Sequence, residues 1–472
     1  MRAAGTDPLD AMSLQRPRPQ SPATQNVKLV LRMKRFRVGG GLRAELLQSG
    51  AIGVAMRMFS LGAGLAITVV LARTLAPAGY GVYSFAFSLV SLLAVPVQLG
   101  LPTLALREVS LSFEHRDFGK LRSFLQWSHR TILWMSALMA VATVVVIQML
   151  RAHLEAQTVA TVLIAISLLA LAPMSRLREA TLQGLRQFVL AQIPDLVVLP
   201  TLFIGCLAAA RLWFPQTLQP QYAMLAYVIC ALAVLILGTI FLSRRLPTET
   251  ARATAVFQTR SWARSLLPLA LTSGFLLING HFSILILGLL SSSEDAGLFR
   301  VASSGAALAT FVGGSIGSLT SPHIATLYSR GDVRRLQSLV NYSAWASLIP
   351  ALLVLCVFVL IGGPLLRHIY GAPFEAARTT LIILTVGQTV NSATGVVHCL
   401  LNMTGHERDT LNGVVLGAAT NVALSAALVP AFGLTGAAIA TGTAIAVENL
   451  LLCALVRTRL NIGSTIFSRA WS

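Results

Sequence analysis

"APAGYGVYSFA", residues 76–86, stands at the mouth of a long apolar stretch, and "SSEDAGLFRVA", residues 292–302, stands at the mouth of another. At an offset of 216, Gly81, Val82, Tyr83 and Ala86 fall on Gly297, Leu298, Phe299 and Ala302, while Ser84 falls on Arg300. Each copy opens the second apolar run of one half of the chain, and both are read in the same direction. The pair reads as an internal repeat, and the sequence on either side fits two copies of one bundle.

Twelve apolar runs are predicted, at 48–72, 82–106, 129–150, 157–175, 188–210, 222–243, 266–290, 297–321, 340–363, 379–402, 411–430 and 434–456. Most approach the roughly 20 residues that cross about 30 Å of hydrocarbon. Hydrophobic residues make up 55% of the 472 and charged residues 11%, less than half the roughly 25% charged of a water-soluble domain. The expectation is an all-α polytopic membrane protein, because a helix satisfies its own backbone groups in lipid. Six runs precede the polar segment 244–265 and six follow it. An even number makes both halves enter the membrane from the same side, so the two six-helix lobes should be parallel-related. The expected organisation is a basic disordered tail (1–44), a first lobe (45–243), a linker (244–265), a second lobe (266–460) and a short tail (461–472). A weaker repeat agrees: "LQGLRQ" (182–187) and "LNMTGHER" (401–408) each join the fourth and fifth runs of a half.

The net charge of +19 could suggest a nucleic-acid partner, but the distribution of charge excludes it. Most of the 36 basic residues lie in the N-terminal tail and in every second gap, including Arg116, Lys120 and Arg122, then Arg176, Arg178 and Arg186, then Arg330, Arg334 and Arg335. That is the positive-inside pattern, and it places both termini in the cytoplasm, with the basic face against anionic lipids. The five cysteines all fall in predicted spans, far apart in sequence, which suggests neither a disulfide framework nor a metal site.

Polar groups inside the runs are few, and a central Arg costs roughly 2.5–3.5 kcal/mol on insertion scales. Arg57 lies in the first run on a stripe with Gly50, Gly53, Ser60 and Gly64. It either faces a cavity, where a guanidinium can grip a pyrophosphate, or snorkels or pairs internally. Asp195 in the fifth run sits at similar depth and is a candidate partner for Arg57; Asp195 and Glu448 are otherwise candidate proton or sodium sites. Asn279 and His281 lie mid-depth in the seventh run, and Arg300 about one turn into the eighth. Arg300 either receives phosphate or pairs with Glu294 or Asp295. "HERD" (406–409) is expected to be a solvated turn. Walker A, dinucleotide-loop, zinc and nucleophile-elbow motifs are absent, so no enzyme activity and no cofactor beyond a coupling ion are expected.

"LARTLAPAGYGVYSFAFSLVSLLAVPVQLGLPTLALREVS" (71–110), "GLFRVASSGAALATFVGGSIGSLTSPHIATLYSRGD" (297–332), "LLRHIYGAPFEAA" (365–377), "LLNMTGHERDTLN" (400–412) and "LVPAFGLTGAAIATGTA" (428–444) resemble the polysaccharide-unit flippases. These are the O-antigen and exopolysaccharide branch of the multidrug/oligosaccharidyl-lipid/polysaccharide exporter superfamily, and the resemblance runs over about 45–460. It implies a V-shaped pair of six-helix lobes around a central cavity. It also implies flipping of undecaprenyl-pyrophosphate-linked oligosaccharide to the periplasmic leaflet by alternating access, in a bacterial inner membrane. A polymerase and glycosyltransferases would be partners. On this reading Arg57, Asn279, His281 and Arg300 would bind substrate. Two alternatives stay open: a cation-coupled multidrug exporter of the same superfamily, and a membrane scaffold of a glycan-synthesis complex.

Overall fold

A computed structural model describes residues 41–153, 155–213, 218–254 and 259–464. Nearly all of the expected 1–44 tail, and most of the 461–472 tail, lie outside the described residues. Met1–Gly53 and Val54–Ser472 form separate compact units, and the features below belong to the second.

Among the described residues every regular element is a helix. The first half comprises α1 (Gly41–Gln98), α2 (Leu101–Glu114), α3 (Phe118–Leu150), α4 (Ala156–Ala165), α5 (Leu168–Gly184), α6 (Phe188–Ile193), a π-helical turn (Pro194–Val198), α7 (Leu199–Trp213) and α8 (Pro220–Arg245). A short α9 (Thr248–Arg252) precedes the second half: α10 (Thr259–Leu290), α11 (Ser293–Ala306), α12 (Leu308–Ser329), α13 (Val333–Tyr370), α14 (Arg378–Ala393), α15 (Val397–Met403) and α16 (Glu407–Leu460). Seven helices are individually long and apolar enough to cross a membrane, and two bent pairs, 293–321 and 372–403, add a span each. Helical geometry breaks at Ala76 (φ 55°, ψ 174°) in α1 and at Gly433 (φ 49°, ψ −127°) in α16. Each of those helices therefore holds two spans, and with α10 the twelve expected runs are all present.

The repeat is more exact in backbone hydrogen bonds than in side chains. Asp117 and Asp332 each cap the third helix of their half, their Oδ1 atoms accepting from the backbone N–H of Lys120 (2.9 Å) and Arg335 (3.1 Å). Before each cap the chain leaves a helix through the left-handed region, at Arg116 (φ 55°) and Gly331 (φ 69°). Each exit is closed by an N–H bond to a carbonyl five residues back, Asp117 to Ser112 (2.9 Å) and Asp332 to Leu327 (3.1 Å), the Schellman pattern. The same closure recurs between the fourth and fifth spans, from Gln187 to Leu182 and from His406 to Leu401, both 2.9 Å. There Arg186 (φ 62°) and Gly405 (φ 83°) take the left-handed position.

The apolar cores show how the halves are joined. One buried cluster draws on both, with Leu71, Tyr80 and Val90 from the first and Leu287, Phe299, Phe374 and Leu381 from the second. It sits toward the end of the bundle that carries the Ala76 turn. Toward the opposite end each half has its own cluster, around Leu104, Phe124 and Leu177 in one and Ile324, Val340 and Leu452 in the other. The lobes therefore share a core at one end, and at the other only the start of the seventh span joins the first-lobe cluster, consistent with the expected V. One boundary differs from expectation. Trp262, 1% exposed, packs edge-on to Phe124 at 5.2 Å, and Leu266 joins the same first-lobe cluster. The start of the seventh span is thus built into the first lobe.

The two quoted entrances meet each other. A Cβ placed on Gly81 would overlap the Ser293 carbonyl and lie 3.0 Å from the Gly297 nitrogen. One placed on Gly297 would overlap the Pro77 carbonyl and lie 3.0 Å from the Gly81 nitrogen. Glycine occupies both positions because the backbones cross there without room for a side chain. "SSED" has a capping role as well: the Ser292 hydroxyl accepts from the Asp295 N–H at 3.1 Å, starting α11.

Candidate functional site: the interlobe face and two intralobe cavities

Beside the Gly81–Gly297 crossing, aromatic rings line the seam between the lobes. Tyr80, Tyr83 and Phe87, one helical turn apart, stack at 6.4 Å per step, because spacings of three and four put them on one face. Phe87 meets Tyr227 edge-on at 5.5 Å and His281 at 6.3 Å. His281 Nδ1 lies 3.3 Å from the Ser88 hydroxyl, a contact between the seventh and second spans. The half-buried Arg300 has its guanidinium within electrostatic reach of Tyr83, Tyr227 and His281. Its expected pairing with Glu294 or Asp295 does not form; Asp295 instead accepts a hydrogen bond from the Ser291 hydroxyl. Arg73 bridges the lobes near the same end, donating to the backbone carbonyls of Ile369 (2.6 Å) and His368 at the end of α13.

Each lobe also holds a polar cavity, and the two lie at equivalent places in the repeat. The first-lobe cavity, about 320 Å³, is lined from the first, second, fourth, fifth and sixth spans, with Ser60, Ser91, Arg176, Glu179, Asp195 and Tyr227 among its walls. The second-lobe cavity, about 350 Å³, is lined from the seventh, eighth, tenth, eleventh and twelfth, with Gln388, Asn391, His398, Asn421, Thr441 and Glu448.

Several assignments made from the sequence are corrected here. Asp195 pairs with Arg178, not Arg57. Arg176, Arg178 and Glu179 are not in a loop: α5 continues to Gly184, and the Arg178 side chain is 3% exposed. Its Nη1 donates toward the Val234 carbonyl at 3.4 Å, and a Cβ on Gly238 would overlap that guanidinium. The π turn gives Asp195 its position, since one extra residue per turn rotates it relative to the flanking helix. Sequence reasoning missed Arg178 because the apolar run ends at Ser175; the signal was Leu177, Thr181 and Gly184 continuing a helical period past it. Arg57 is exposed and forms no ion pair among the described residues. Nothing lies within 4 Å of a Cβ on Gly64, so at that position the small-residue stripe faces open space and not a packed neighbour. Glu448 lies 3.5 Å from His398. "HERD" is only partly solvated, since Asp409 is buried and accepts from Arg459 at 3.1 Å. The Asn279 side chain lies outside the described residues. His281 and Arg300 are thus within electrostatic reach of each other, while Asp195 and Glu448 sit in separate cavities.

The model of the polysaccharide biosynthesis protein family matches residues 46–328, more than half of the chain. The chain belongs to that family. A probable low-salt glycan biosynthesis flippase, Agl15 of Haloferax volcanii, is 24% identical over 196 residues, spanning 40% of this chain and 41% of that protein. Among solved structures, an inward-facing multidrug-resistance MATE transporter of the MOP superfamily superposes with a TM-score of 0.70 at 14% identity, over 87% of this chain and 98% of that one. The lipid II flippase MurJ, in an inward closed conformation, gives 0.68 at 15% identity over 86% and 87%. An outward-facing MATE structure gives 0.59 at 14% identity over 88% and 96%. These identities establish a shared fold. The chain is thus a multi-pass membrane protein of a family described as polysaccharide biosynthesis proteins.

Proposed function

We propose that this protein flips undecaprenyl-pyrophosphate-linked oligosaccharide from the cytoplasmic to the periplasmic leaflet of a bacterial inner membrane, by alternating access. The observation that carries the reading is the seam itself. A cation, Arg300, and an imidazole, His281, stand between two lobes that share a core at one end and separate at the other.

The basic gaps lie at the separated end, so the positive-inside rule makes that end cytoplasmic and both termini cytoplasmic. The separated end then admits the lipid head from inside, and the cluster of basic residues there draws in its anionic phosphates. The higher TM-score against the inward-facing than the outward-facing relative agrees with this sense. Arg57, exposed and without an ion pair among the described residues, is assigned to first capture of the pyrophosphate, with Asn279, His281 and Arg300 holding it near the seam. A guanidinium suits that role because it binds phosphate bidentately and stays charged when desolvated. Glu448, facing His398, and Asp195, held by Arg178, are the proposed sites of proton or sodium coupling. A polymerase and glycosyltransferases would be neighbours in the pathway.

Arg57→Ala or Arg300→Ala, each as the sole copy, should leave the protein inserted, abolish surface polysaccharide and accumulate the lipid-linked unit on the inner leaflet. Normal polymer from both variants would remove the assigned roles. Normal polymer with altered susceptibility to cationic drugs would place the protein on the exporter branch instead.

A further inference from the structure

The two intralobe cavities occupy equivalent places in the repeat; each has a carboxylate, Asp195 or Glu448, but only the second carries carboxamides. Arg176, Glu179 and Asp195 line the first. Gln388 and Asn391 line the second, one turn apart on α14 and opening on the same space. Among the described residues no hydrogen bond engages either carboxamide. Each such group brings one acceptor oxygen and a two-hydrogen donor. Both side chains are half-buried and open on the cavity, so their polar atoms are available to a polar occupant. Glu448 and His398, 3.5 Å apart, line the same cavity, so a coupling ion and a second polar ligand would share it. Asn421 Oδ1 accepts from the Ser283 (3.3 Å) and Ser425 (3.1 Å) hydroxyls, and Asn449 Oδ1 from the Thr394 hydroxyl (3.0 Å). The Gln388 and Asn391 carboxamides both donate and accept, the demand that a hydroxyl or acetamido group satisfies. The Phe299 ring also lines this cavity, offering an apolar face. Its volume, about 350 Å³, falls within the roughly 300–1,000 Å³ of small-molecule sites.

We propose that the second-lobe cavity is the glycan subsite: Gln388 and Asn391 hydrogen-bond a neutral sugar ring of the substrate, while its phosphates stay at the arginines of the seam. This rests on the flippase reading and divides the substrate between two surfaces of different chemistry. A neutral sugar loses less on leaving a charged wall than a phosphate does, so discrimination among glycans belongs to the amides and capture to the arginines.

The test uses full-length protein in lipid nanodiscs and two probes. One is the soluble oligosaccharide released by mild acid from the host's own surface polysaccharide; the other is undecaprenyl phosphate, which carries no sugar. Wild type should bind both. Gln388→Leu combined with Asn391→Leu should weaken the oligosaccharide about tenfold, the loss of one or two net hydrogen bonds, and leave undecaprenyl phosphate unchanged. Gln388→Asn alone, which keeps a carboxamide, should bind the oligosaccharide between the two and serve if the double variant fails to fold. Oligosaccharide binding undiminished in the leucine variants overturns the subsite, as does loss of both probes from a variant that melts like wild type. If wild type binds undecaprenyl phosphate but not the oligosaccharide, the subsite alone fails. If it binds neither, the flippase reading fails with it.

Discussion

Gly81 and Gly297 hold the two lobes backbone to backbone: a Cβ on Gly81 would overlap the Ser293 carbonyl, and one on Gly297 the Pro77 carbonyl. A side chain at either position forces the helices apart at the end where the lobes share their core. Gly81→Ala and Gly297→Ala should each cost about 1–3 kcal/mol, the range for overpacking, seen as a lower melting temperature in detergent. The proposed outward opening separates these helices, so the same variants should favour it. Cysteines introduced in the seam should then react faster with an external thiol reagent than they do in the parent. Equal melting and equal labelling would mean that the crossing bears no load.

The buried Arg178 pairs with Asp195 at the wall of the first-lobe cavity, and a single deletion leaves one charge without a partner. Arg178→Met or Asp195→Leu alone should destabilise by roughly 3–5 kcal/mol, whereas the double variant Arg178→Met with Asp195→Leu should recover most of the loss. Melting of all three beside wild type completes the cycle. Additive losses would refute the coupling. If the double variant is stable yet inactive in polymer export, Asp195 has a function beyond its pair.

Arg116 stands in the left-handed region where the second lobe has Gly331. A non-glycine residue there costs roughly 1–2 kcal/mol, part of which the greater chain entropy of glycine offsets. Arg116→Gly should therefore stabilise by about 0.5–1 kcal/mol, read as a rise in melting temperature. A fall would show that the arginine side chain makes a contribution larger than its strained backbone.

Glu108 lies beyond the second span at the basic end. Burial raises its affinity for a proton, but hydrogen bonds and charge from Lys120 (2.8 Å) and Arg107 (3.2 Å) outweigh it, holding the carboxyl below its ordinary range. Because the folded-state value is depressed, the pair stabilises the fold fully above the ordinary carboxylate range. That stability is lost as pH falls through the folded value. Melting followed from pH 7 down to the lowest pH the detergent tolerates should decline less steeply for Glu108→Gln than for wild type. Parallel profiles would remove Glu108 from the acid response.

The lobes' joining through Arg73 is open to the same kind of measurement. Arg73→Ala removes the donors to the Ile369 and His368 carbonyls. It should speed external labelling of a seam cysteine while barely changing the melting temperature, since a hydrogen bond from an exposed arginine contributes only about 1 kcal/mol. Unchanged labelling would show that Gly81 and Gly297 hold the seam without it.

The sequence by itself determined the spans, their number and their twofold plan, because hydrocarbon imposes length and apolarity on every crossing segment, and repeated turns recur at fixed offsets. It also singled out Arg300 as the residue that breaks the symmetry of "GYGVYSFA" against "GLFRVA". Only the tertiary structure decided the partners. Arg178 was read as a loop residue because charge normally ends a span, and its burial depends on Asp195 across the π turn and on the space that Gly238 leaves. Arg57 and Asp195 share a depth, yet depth says nothing about which way a helix is turned. Likewise nothing in the sequence marks Gln388 and Asn391 among the polar residues of the spans. What sets them apart is that their neighbours' hydrogen bonds are already made, a fact that resides in the arrangement of five spans and not in any one of them.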